Sequence, residues 1–161
     1  MKMKIALPTL ITAVAIAAVA FTASAATIER PTSVSPQDMK WSPAPAVLSP
    51  GAEAAVLLGD PGKEGLFVLR LKFPKGYRVA PHTNSVDEVV TVISGTFGLA
   101  MGTGIYADQS KVQSFPAGSF LALPPDTAYY VLIEEETIIQ IGANGPWGLT
   151  YISPKDDPRL K

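Results

Sequence analysis

The segment Gly76-Tyr77-Arg78-Val79-Ala80-Pro81-His82-Thr83-Asn84-Ser85-Val86-Asp87-Glu88, closed by Gly95, carries the reading of this chain. His82 and Asn84 stand two residues apart, so on a strand both side chains point to one face. Glu88 follows a short turn and opens the β-branched run Glu88-Val89-Val90-Thr91-Val92-Ile93, which reads as the next strand. Neighbouring strands lie roughly 5 Å apart, which lets Glu88 meet the His82 face. Three polar side chains converging amid apolar alternation mark a candidate site. The plainer reading is a solvent-facing strand end with a hydrogen-bonded histidine.

On either side the chain reads as short strands divided by turns. Leu66 to Phe73 alternates, with Phe67, Leu69, Leu71 and Phe73 on one face and Arg70 and Lys72 on the other. Further strands are expected at Thr96 to Met101, Ser119 to Leu123, Tyr129 to Ile133, Thr137 to Ile141 and Leu149 to Ile152. Turn signals separate them at Ser94-Gly95, Gly102-Thr103-Gly104, Pro116-Ala117-Gly118, Pro124-Pro125-Asp126 and Asn144-Gly145-Pro146. Ala107 to Val112 is the one stretch that fits a helical turn, and Glu134 to Glu136 fits a solvated hairpin tip. Many short strands at this spacing predict an all-β sandwich or barrel.

The 161 residues include no cysteine, one histidine, 15 prolines and 13 glycines. The lack of cysteine excludes a disulfide scaffold, a thiolate metal site and a cysteine nucleophile. A single histidine excludes a metal site that draws two imidazoles from one chain. With 13 basic against 14 acidic residues there is no electrostatic footprint for nucleic acid. Residues 1–25 read as a signal peptide: Lys2 and Lys4, then the apolar run Ile5 to Phe21, then Ala23-Ser24-Ala25. The alternative is an uncleaved anchor. Cleavage would leave 11 basic and 14 acidic residues, a net charge of −3, and an exported, periplasmic or secreted protein that keeps no membrane anchor. Residues 26–50 carry Pro31, Pro36, Pro43, Pro45 and Pro50, too many for a helix, and predict an extended arm packed down by Trp41. Residues 51–161 are the expected β domain.

The spacing Gly76-x5-His82-x-Asn84-x3-Glu88-x6-Gly95 resembles the first motif of the cupin superfamily at every position except Asn84. Gly118, Pro124, Asp126, Tyr129 and Ile133 fall where the second cupin motif lies, and there Gly118 and Pro124 keep the family's residue types. The resemblance extends over Trp41 to Arg159 and implies a small β-barrel of the double-stranded β-helix, or jelly-roll, type. It further implies a divalent transition metal held at the positions of His82, Asn84, Glu88 and Tyr129. Cupins hold it with three histidines and a glutamate, so two imidazoles are replaced here.

An amide oxygen is a weak donor to first-row transition metals, and a tyrosine must lose a proton of pKa about 10 to coordinate strongly. Three functions are therefore set side by side. The first is a small-molecule binding protein with a degenerate metal site and no metal chemistry, its interior lined by Phe67, Leu69, Leu71, Val90, Val92, Phe120 and Tyr129. The second is a metal-independent acid–base enzyme, an isomerase, epimerase or lyase, in which His82 and Tyr129 face each other across the pocket and Glu88 orients the imidazole. The third is a metal-dependent enzyme such as a dioxygenase. Arg78, with Lys75 beside it, is a candidate contact for an anionic ligand group, the alternative being an exposed strand-end charge. The long strands and the arm leave edges that pair in trans, which predicts a homodimer.

Overall fold

The alternation of the 66–73 segment is realised in full. In the computed structural model, which describes Ile28, residues 31–103 and residues 109–161, Phe67, Leu69, Leu71 and Phe73 are all at most 2% exposed. Arg70 and Lys72 lie on the outer face, where the Lys72 ammonium sits 4.8 Å from the Trp41 ring centroid and Arg70 Nη1 reaches Met39 Sδ at 3.4 Å. Trp41 thus holds the proline-rich arm against the domain. The arm also enters the core itself, where Val47 and Leu48 are buried. The expected signal segment 1–25 lies outside the described residues.

Among the described residues there are eleven strands. They are β1 (Ser42–Pro43), β2 (Glu53–Leu58), β3 (Gly65–Phe73), β4 (Arg78–Asn84), β5 (Glu88–Ser94), β6 (Thr96–Met101), β7 (Gln113–Pro116), β8 (Phe120–Leu123), β9 (Tyr129–Leu132), β10 (Thr137–Gly145) and β11 (Leu149–Tyr151). A 3-10 turn at Gln109–Lys111 falls within the expected helical stretch, whose residues 107 and 108 are not described. One sheet runs β1-β2-β3-β10-β5-β8 and the other β11-β4-β9-β6-β7, all antiparallel. Strands β3 to β6 alternate between the sheets, which is a jelly roll. The expected barrel is thus two facing sheets whose hydrogen-bond ladders do not close on each other.

This topology corrects the local picture of the site. β4 and β5 are not neighbours in one sheet; the chain crosses from one sheet to the other at 85–87. Glu88 therefore meets the His82 face across the interior, not beside it. Gly95 turns the chain back at a φ of +72°, where a Cβ would stand 2.4 Å from the Glu136 carbonyl oxygen. Only glycine fits that approach.

Candidate functional site

His82 owes its inward direction to an irregularity in β4. Val79 pairs with Val131 and His82 with Tyr129, so three steps on β4 match two on β9. This is a β-bulge at Ala80–Pro81, where proline, which has no N–H to give a ladder, is at home. Val79 points inward, and the extra residue shifts the phase so that His82 and Asn84 do too, each 2% exposed. The bulge also supplies the histidine's partner, since His82 Nδ1 donates to the Ala80 carbonyl at 2.6 Å. A carbonyl only accepts, so the proton is on Nδ1 and the lone pair on Nε2. Burial pushes the imidazole pKa down to about 4, against the smaller opposing effect of the Ala80 carbonyl. His82 is neutral at physiological pH.

Tyr129 is the cross-strand partner of His82 on β9, with ring centroids 4.5 Å apart in an edge arrangement. The two rings are therefore side by side on one wall, which corrects the expectation that they face each other across the pocket. The Tyr129 hydroxyl accepts from Asn84 Nδ2 at 2.5 Å and donates to Glu88 Oε2 at 3.1 Å. Glu88 Oε1 accepts from the indole Nε1 of Trp147. Glu88 is thus occupied by Tyr129 and Trp147, and the imidazole is oriented by Ala80 instead. Burial raises the Glu88 pKa despite the two donors. Burial, and then the neighbouring Glu88 charge, raises that of Tyr129 well above its ordinary value. All three groups are driven toward their neutral forms.

Two of the expected contacts lie elsewhere. Phe120 is 65% exposed, because inward alternation on β8 belongs to Leu121 and Leu123. Arg78 is exposed at the start of β4, six residues before Asn84 on a strand whose other end builds the site. Neither lines the cavity, whose volume is about 30 Å³ and whose walls include Leu71, Phe73, Val90, Phe97, Val131 and Ile139 around the four polar residues. That is space for one or two waters.

Trp147 is the site residue that strand patterns missed. It lies on the β10–β11 connection, outside any periodic segment, and its ring packs 6.5 Å from Phe67. Ser85 holds that connection in place, its N–H donating to Gly148 O and its hydroxyl to Pro146 O, both at 3.3 Å. Asp126, where the second cupin motif has glycine, has a φ of +58° and donates its N–H to Asn84 O at 3.0 Å. The left-handed conformation survives the replacement, since aspartate tolerates it better than most residues.

A divalent transition metal does not match this donor set. Among the described residues no group of three or more His, Cys, Asp or Glu side chains could hold a metal ion. One imidazole is available, both carboxylate oxygens of Glu88 are engaged by neutral donors, and Tyr129 is held protonated.

The architecture is shared with solved structures. The polyketide cyclase RemF from Streptomyces resistomycificus matches with a TM-score of 0.63 at 15% identity, over 80% of this chain and 90% of that one. An RmlC-like cupin from Shewanella frigidimarina matches at 0.53 and 15% identity, over 69% and 87%. KdgF from Halomonas sp. matches at 0.52 and 16% identity, over 68% and 90%. The fold is that of a cupin. The chain belongs to the family described as a domain of unknown function, DUF4437, whose model matches residues 31–150. No curated protein matches its sequence.

Proposed function

We propose that this cupin binds a small organic molecule, taking one end of it into the cavity, without metal chemistry. The observation that carries this reading is the convergence of His82, Asn84, Glu88 and Tyr129 on one cavity in an otherwise apolar interior. Burying four polar side chains costs stability that apolar residues would not, and Asn84 Oδ1 is left unpaired, which a packing role alone does not account for. The basic, apolar and small-residue pattern of residues 2–25 supports reading the chain as an exported protein, and a homodimer is the assembly we expect. A polyketide cyclase of the same fold is in keeping with a small organic ligand. The test is elemental analysis of purified protein, followed by thermal-shift screening of a fragment set. Metal well below one equivalent and ligand-dependent stabilisation are expected. Near-stoichiometric transition metal overturns the reading.

One observation favours a second reading. A neutral histidine with its lone pair on Nε2, kept so by the Ala80 carbonyl, has the state a general base needs. With Tyr129 on the same wall, proton removal and return occur on one side of a substrate, which suits an isomerase or lyase better than a two-faced epimerase. Turnover that disappears in His82→Gln, while ligand binding persists, establishes this reading over pure binding.

A further inference from the structure

The cavity is chemically one-sided. Asn84 Oδ1 is buried, in a residue 2% exposed, and has no hydrogen-bond partner. Every side-chain donor atom of the cluster, by contrast, has a partner: His82 Nδ1 in Ala80, Asn84 Nδ2 in Tyr129, and the Tyr129 hydroxyl and Trp147 indole in Glu88. What the cluster offers is acceptors, namely Asn84 Oδ1 and the His82 Nε2 lone pair. No lysine or arginine is among the described residues that line the cavity. An orphaned buried acceptor costs the full desolvation of that group unless something arrives to donate to it.

We propose that the ligand enters with an uncharged hydrogen-bond donor foremost, an amide N–H or a hydroxyl, which is received by Asn84 Oδ1 with His82 beside it. This rests on the small-molecule reading above and specifies its chemistry. A carboxylate or phosphate would bring further acceptors and negative charge toward Glu88 with no cation to meet them. An apolar end would leave Oδ1 as unpaired as before. The walls of Phe73, Val90, Phe97 and Ile139 take the carbon body next to the donor. The space admits one or two heavy atoms, so specificity resides in the leading donor itself.

The test uses small probes that differ in the group they can lead with: acetamide, acetone, acetate and methylammonium. Each is titrated into the protein while the Trp147 indole N–H resonance is followed by NMR. Acetamide is expected to give a saturable shift and to bind about tenfold tighter than acetone or acetate, the ratio one hydrogen bond supplies. Asn84→Leu is expected to bring acetamide down to the level of acetone. The wild-type ranking alone decides the matter if that variant fails to fold. Acetone or acetate binding within threefold of acetamide overturns the donor assignment and leaves small-molecule binding standing. Methylammonium binding more tightly than acetamide overturns the requirement for an uncharged group. Failure of all four to bind overturns both the donor assignment and the reading beneath it.

Discussion

The Tyr129 hydroxyl donates to Glu88 Oε2 at 3.1 Å from the opposite sheet, so one buried hydrogen bond spans the interior of the jelly roll. Tyr129 also receives Asn84 Nδ2, and Glu88 receives Trp147. Four side chains from three strands and one connection are thereby joined through two acceptor groups. Any change to a central member leaves a neighbour without its partner.

Tyr129→Phe removes only an oxygen, yet it strands Glu88 Oε2 and Asn84 Nδ2 together. The expected loss is about 3 kcal/mol of unfolding free energy, two neutral hydrogen bonds plus desolvation that is no longer compensated. Urea denaturation measures it, and a change under about 1 kcal/mol contradicts the network.

Asn84→Leu, at the other end of the same chain of bonds, behaves differently. It abolishes an unpaired acceptor along with one bond, so the two effects offset each other. Stability within about 1 kcal/mol of wild type is expected, against the larger loss in Tyr129→Phe. A loss equal to that of Tyr129→Phe would show that Oδ1 is satisfied in solution.

Trp147→Phe takes away the indole N–H and leaves Glu88 Oε1 unpaired. A loss of about 1–2 kcal/mol is expected. With a favourable donor gone, the Glu88 carboxyl should also titrate higher than in wild type. Carbon-13 NMR of the labelled glutamate carboxyl follows this titration, and an unchanged or lower value rejects the contact.

His82 titrates at about 4 in the folded protein against 6.5 when unperturbed. As pH falls through 6.5 the unfolded chain takes up the proton first, so stability declines from about pH 6.5 to about pH 4. The decline amounts to roughly 3 kcal/mol. Glu88 acts in the opposite sense. Its folded pKa is raised, so its contribution is present below the ordinary value of 4.5 and is lost as pH rises through the folded value. Urea midpoints from pH 4 to 8 for wild type, His82→Gln and Glu88→Gln separate the two. His82→Gln should lose the acid-side slope, and retention of that slope places its origin elsewhere.

The strands were legible because burial imposes a two-residue period that β3 displays without interruption. The pairing of His82 with Asn84 on one face followed from the same period. Which sheet each strand joins was not legible. Ser85-Val86-Asp87 has the length of a hairpin connection, and only the packing of the two sheets makes it a crossing between them. Phe120 was expected to line the interior, but the alternation of β8 turns Leu121 and Leu123 inward and leaves Phe120 exposed. Trp147 was given no place in the site because a connection has no period to read. Asn84 and Tyr129 stood out as departures from three-histidine ligation. Their bond to each other, and the orphaned oxygen it leaves, belong to a geometry that spacing does not encode.

The bulge at Ala80–Pro81 makes the site a matter of parity. If the same residues paired regularly, without the bulge, Thr83 would take an inward place while His82 and Asn84 turned to solvent, even though every side chain of the cluster remained in the chain. A single-codon deletion of Pro81 would set Val79 and His82 two residues apart, remove the bulge and leave His82 and Asn84 facing inward. Relatives with a strand one residue shorter at that point would reach the same inward faces by a regular ladder, and only a chain that keeps the extra residue needs the bulge to do so.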